Sequence, residues 1–148
     1  MLHVETVEPR TLSLLKDLMT LPTLQSFSLV GGTALHFPHT PIAAIEEEDK
    51  IRMYSSADIS AMKIQAILGR AQKKDFWDLY ELLQYYPLQQ LIDWHKQKYP
   101  GQMLAISIPQ AITYFVDAEE SETPVSNKEQ TWECIKKGIS RAVSDYLR

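Results

Sequence analysis

A chain of 148 residues with one cysteine and a formal net charge of −4 excludes several classes of protein at the outset. Binding of nucleic acid through a broad basic face is excluded because it needs a clear basic excess, and a lone Cys134 permits no internal disulfide and fits a reducing cytoplasm. No apolar run reaches the roughly 20 residues of a membrane span, the first nine residues lack the apolar core of a signal peptide, and the length suits a single domain.

In chain order, residues 11–21 carry leucines at 12, 15 and 18 with Leu14, Met19 and Leu21 beside them, a helical spacing. Pro9 suits a first helical position and Pro22 closes the helix. Residues 27–30 are β-prone and stop at Gly31 and Gly32, two of only five glycines in the chain. Their adjacency marks a backbone turn that side chains would obstruct. Residues 33–37 read as a turn or two of helix, cut by Pro38 and Pro41. Residues 42–49 are ambiguous, helical by propensity, and end in the acidic run Glu46, Glu47, Glu48, Asp49, read as a solvated face. Residues 51–54 alternate as a second strand. Ser55 and Asp58 then match an S-x-x-D capping box, opening a helix expected to end with Gly69 as its C′ residue.

Further helices are predicted over 72–86 and 88–98, and over part of 104–115 with Pro109 near a start. Residues 117–127 are polar and acidic and read as a loop. A final amphipathic helix over 128–147 puts Trp132, Ile135, Ile139, Val143 and Tyr146 on one stripe. Two strands alone are marginal in water, so helices must cover them. The expected fold is α+β and mostly helical, a small sheet packed against a helical bundle. Residues 1–54 would form the α/β part and 55–148 the helical part of one domain.

Strand, Gly-Gly, helix is a geometry that aims free N–H groups at an anion, although a tight turn without a ligand gives the same pattern. A second feature lies on the helix after Ser55. At about 100° per residue Lys63 falls between Ile59 and Ile67, with Met62 and Ala66 beside it. A lysine in an apolar stripe must snorkel, pair with a carboxylate or meet a ligand anion. Asp75, flanked by Asp78, faces inward from the first turn of the next helix, with Arg70, Lys73 and Lys74 at the junction. Two readings stand: a structural ion pair between Lys63 and Asp75, or a ligand site. His36 and His39 have no further His or Cys nearby, so no metal site is expected there. Cys134 reads as a packing residue, and Trp77, Tyr80, Tyr85, Tyr86 and Trp94 as core.

Together LVGGTALHF, ADISAMKIQAILGRAQKKDFWDLYELL and AITYFVDAEE resemble the AbiEii/AbiGii toxin family of bacterial nucleotidyltransferases, relatives of the polymerase-β-like minimal nucleotidyltransferase fold. The resemblance implies that Gly31, Gly32 and Thr33 cradle a triphosphate and that Asp58, Lys63, Asp75 and Asp78 match the later motif, with Lys74 beside it. It also implies NTP and Mg²⁺ as the intact family's ligands, and an antitoxin-like protein as partner. The chain departs from that pattern where the family carries a D-x-D strand. Here HFPHT leads through PIAAIEEED straight to IRMY, and Glu46 and Glu48 could imitate the missing pair only on an extended segment. The expectation is a degenerate, catalytically inactive nucleotidyltransferase-like protein with no cofactor, keeping a phosphate pocket. The alternative is an interaction module, with a homodimer or partner pairing at an exposed sheet edge.

Overall fold

A computed structural model describes residues 8–25, 28–30, 33–35, 41–125, 128 and 130–148, with the backbone alone for 28–30 and 33–35. His36, His39, Gly31 and Gly32 lie outside the described residues. The chain divides into two compact units, residues 1–59 and 60–148. The fold is α+β and mostly helical, as expected, but its sheet has four strands where two were expected.

In the first unit, helix α1 (Pro9–Thr20) opens on Pro9 and is followed by a 3₁₀ turn at Pro22–Leu24. Met19 is buried, and Leu12 and Leu15 pack with it against Ile51 and Met53. Strands β1 (Ser28–Val30), β2 (Thr33–Leu35), β3 (Glu46–Glu48) and β4 (Ile51–Met53) form one sheet in the order β2-β1-β4-β3. β1 runs antiparallel to β2 and parallel to β4, with Leu29 opposite Met53. The Arg52 guanidinium donates to the carbonyls of Met19 (3.0 Å) and Leu24 (2.9 Å), fastening the end of α1 and the 3₁₀ turn to β4.

Two elements differ from expectation. Residues 33–35, expected to be helical, form β2, because Val30 pairs with Thr33 across a two-residue connection, the spacing of a β-hairpin. Residues 46–48 form strand β3 rather than a helix. It pairs antiparallel with β4, Glu46 opposite Met53 and Glu48 opposite Ile51. Asp49 and Lys50 both take positive φ, 51° and 66°, which is the type I′ turn that matches the twist of a two-residue hairpin.

Helix α2 (Ser56–Arg70) opens in the first unit and continues into the second. Its start is the expected one: Ser55 Oγ accepts from the Asp58 amide at 3.2 Å. Its end is not. Gly69 stays helical, and Ala71, at φ 45°, takes the left-handed position instead.

The second unit continues with α3 (Lys73–Leu82), shorter than expected, then α4 (Leu88–Lys98) and α5 (Ile108–Thr113). α5 carries a full capping box between Ser107 and Gln110. The last helix, α6 (Trp132–Tyr146), starts four residues later than expected because Thr131 is its N-cap, accepting from the Cys134 amide. Ile135, Ile139 and Val143 are buried along the expected stripe, with Trp132 and Tyr146 packed at its ends. They meet Ile64, Phe76, Leu79, Leu91 and Ile112 in one core. Gly138 lets α6 approach α3: an added Cβ would lie 2.2 Å from Cε2 of Tyr80. Trp77 stacks on Trp132 at 5.5 Å, and Tyr86 and Trp94 meet edge to face, so these rings are core as expected. Tyr85 is not core; it is exposed.

Candidate functional site

The charged residues singled out from the sequence fall into two places. Asp58, in the first unit, is fully buried and occupied by its own neighbourhood. Its carboxylate accepts from the amides of Ile42 (2.9 Å) and Ala43 (3.3 Å) and from the Ser55 hydroxyl (2.8 Å). It therefore anchors the segment that leads into β3 and holds the Ser55 hydroxyl that caps α2. Burial, then the Asp58 charge, raises the Tyr54 phenol above its ordinary pKa.

The second place is the seam between α2 and α3. The buried face of α2 consists of Ala57, Asp58, Ser60, Ala61, Ile64 and Ile67, and Lys63 lies on its flank rather than at its centre. Its ammonium reaches Asp78 at 2.6 Å and Asp75 only at 4.0 Å. Asp75 is fully buried and belongs chiefly to Arg70, whose Nε and Nη2 donate to its two oxygens at 3.0 and 2.9 Å. That fork is the strong form of an ion pair. The hydrogen bond to Asp75 raises the Arg70 pKa above its ordinary value.

The expected Lys63–Asp75 pair is present at 4.0 Å, but each partner has a closer one, Asp78 for Lys63 and Arg70 for Asp75. The physical reason is reach. α2 runs one residue past Gly69, which carries the longer, forked side chain of Arg70 to the first turn of α3. The signal available in the sequence was the five-residue spacing of Arg70 and Asp75 across a helix junction.

The basic cluster at that junction also separates. Lys73 donates its ammonium to the carbonyls of Glu119 and Ser121, both at 2.9 Å, and its amide to Ser121 Oγ. It holds the 3₁₀ turn at Val116–Ala118 and residues 119–121 against α3. Glu119 in turn accepts from Lys136 (3.0 Å) and from the Trp132 indole (2.9 Å), which lower its pKa in that order. Lys74 is exposed.

β3 meets the condition set for an acidic pair: on an extended strand Glu46 and Glu48 share one face, and both are exposed. Among the described residues no group of three or more His, Cys, Asp or Glu could hold a metal ion. Cys134, expected in the core, is exposed. One step from Ile135 on α6, it lies outside the buried stripe and lines an open groove of about 450 Å³ with Tyr80, Lys137 and Gly138.

A family model described as nucleotidyl transferase AbiEii toxin, type IV toxin–antitoxin system, matches residues 37–145, well over half of the chain. The chain belongs to the AbiEii family. The match takes in Asp58, Lys63, Arg70, Asp75 and Asp78, and begins after Gly31, Gly32 and Thr33. An uncharacterized protein of Aquifex aeolicus (strain VF5), aq_aa25, is 36% identical over 92 residues, covering 61% of this AbiEii-family chain and 43% of that protein. The aligned part therefore spans less than half of that relative's length. No solved structure matches the chain. Among the described residues no helix is long and apolar enough to cross a membrane.

Proposed function

We propose that this AbiEii-family chain no longer transfers nucleotides and keeps a phosphate-binding function centred on Lys63. The observation that carries the reading is how Lys63 is held. Its side chain is 20% exposed and, among the described residues, makes one close ionic contact, to a carboxylate that is itself 48% exposed. A pair open to water on its carboxylate side contributes little, about 0–1 kcal/mol, because water screens it and the long lysine side chain must be ordered. A leucine or methionine at the flank of the buried face would stabilise α2 at least as well. Stability alone therefore does not account for a lysine here. A group that meets an incoming anion does, and the exposed ammonium of Lys74 on α3 adds positive charge to the same unit.

Loss of transfer rests on the donor set. Metal-assisted nucleotidyl transfer needs carboxylates that hold the ions against the phosphates. The chain has no D-x-D, and Asp58, a family-motif carboxylate, is spent on the amides of Ile42 and Ala43. Glu46 and Glu48 offer two carboxylates on an exposed hairpin edge with no third grouped beside them among the described residues. These donors do not fit the family's metal site.

The test has two arms. Incubation with each labelled NTP and Mg²⁺ or Mn²⁺ should yield no labelled RNA or protein; labelling that is lost on changing Glu46 and Glu48 to Gln would overturn the inactive assignment. Calorimetric titration with ATP should show binding that Lys63→Met abolishes. Binding of equal strength in that variant, or none in the wild type and in every charge variant of the seam, would overturn the Lys63 site.

A further inference from the structure

We infer that Asp78 gates Lys63: it is a built-in counter-ion that an incoming phosphate must displace, so the resting protein holds its phosphate-binding lysine closed. The inference rests on the assignment of Lys63 to phosphate, and it concerns how that site is regulated.

The two carboxylates of the seam sit three residues apart on α3 and have opposite characters. Asp75 has no exposed surface and receives a forked arginine on both oxygens, so moving it would strip a buried charge of its partner. Asp78 is half exposed and holds Lys63 through one oxygen at 2.6 Å, with water on its outer side. Turning Asp78 into solvent breaks one contact and rehydrates a carboxylate that is already half wet. Lys63 is not then stranded, because Asp75 remains 4.0 Å away. That second carboxylate keeps part of the compensation and leaves the ammonium's outward hydrogen-bonding capacity for a ligand. Arg70, 51% exposed on its outer side, presents a further donor group while its fork stays on Asp75. The seam therefore has one fixed pair and one exchangeable pair. In the exchange a phosphate oxygen replaces Asp78 Oδ2 on Lys63, and no covalent bond is made or broken.

The experiment is calorimetric titration of the full chain with inorganic tripolyphosphate and, separately, with ATP, using wild type, Asp78→Asn, Lys63→Met and the double variant. Asp78 is half exposed, so Asp78→Asn should melt close to wild type and its binding can be compared directly. Removing an exposed competing pair should tighten binding roughly two- to fivefold. The gain should shrink at high salt and vanish when Lys63 is also replaced. Tighter binding of tripolyphosphate and ATP alike assigns the gate to the phosphates, and tightening confined to ATP assigns it to a nucleotide; either supports the inference. If the wild type binds through Lys63 but Asp78→Asn binds equally or more weakly, the gate is overturned while the Lys63 site stands. If no form binds, or binding ignores Lys63, both fall together.

Discussion

Exchanging Arg70 for Met should cost more stability than exchanging Lys63 for Met, although each removes one cation from the same helix. Arg70→Met leaves Asp75 fully buried, without its two hydrogen bonds of 3.0 and 2.9 Å, and with Lys63 at 4.0 Å, beyond hydrogen-bond reach, as its remaining ion-pair partner among the described residues. Breaking a wholly buried pair costs roughly 3–5 kcal/mol. Arg70 is half exposed, and water on that side screens the pair, which brings the expectation down to roughly 2–3 kcal/mol. Lys63→Met removes one contact to a half-exposed carboxylate, about 0.2–1 kcal/mol, and the added apolar area offsets part of it. The two losses should differ by about 1–3 kcal/mol. Urea unfolding at neutral pH, followed by tryptophan fluorescence and far-UV circular dichroism, measures both. In double-mutant cycles, Arg70→Met with Asp75→Asn should couple by on the order of 1–3 kcal/mol, and Lys63→Met with Asp78→Asn by less than about 1. Equal couplings, or the reverse order, would refute the division of the seam into a buried fixed pair and an exposed exchangeable one.

Two further outcomes test the surrounding packing. Gly138→Ala should destabilise the protein in thermal unfolding, because overpacking against Tyr80 costs about 1–3 kcal/mol against a helix-propensity gain of about 1; in a Tyr80→Ala background the same change should turn stabilising, and an unchanged sign would contradict the contact. His95, 2% exposed and 2.9 Å from the Gln65 side-chain oxygen, has its pKa lowered by burial, so the unfolded chain takes up a proton before the folded one does. That contribution is present above the ordinary histidine pKa of about 6.5 and is lost as pH falls from there towards the lowered folded value. His95→Gln should flatten the fall in melting temperature over that window, and an unaltered slope would remove His95 as its cause.

The long helices were legible because burial on a helix repeats every three or four residues: Ile135, Ile139 and Val143 identify the inner face of α6 without any tertiary information. β2 and β3 were not, for a reason of length. Three residues are too few to show alternation, and Glu46–Glu48 has no apolar member at all. What makes β3 a strand is pairing with β4 through a turn whose two positive-φ residues are Asp49 and Lys50, neither of them the glycine that usually announces such a turn. Gly31 and Gly32 did carry a hairpin signal, but the same residues also suit a strand-to-helix turn, and only the pairing of Val30 with Thr33 separates the two. At the site, residue types could be read for Lys63, Asp75 and Asp78, and the inward direction for Asp75, which is fully buried. The choice of partner could not, because it turned on whether α2 stops at Gly69 or carries one residue more. Cys134 shows the same sensitivity: one position along α6 divides core from surface.

Only Ala71 and Gln72 separate α2 from α3, and Ala71 turns the chain there in the left-handed region. The strongest pair of the seam thus closes across just five residues of sequence. Loop-closure entropy rises with the logarithm of loop length, so a contact this local costs the chain little order to make. The opposite case is Lys73, which reaches 48 residues along the chain to Ser121 and depends on everything between being in place. The instruction for setting α3 against α2 is therefore contained in one short stretch, and the low contact order of that stretch belongs to the rapid, local part of folding rather than to its slow, long-range closure.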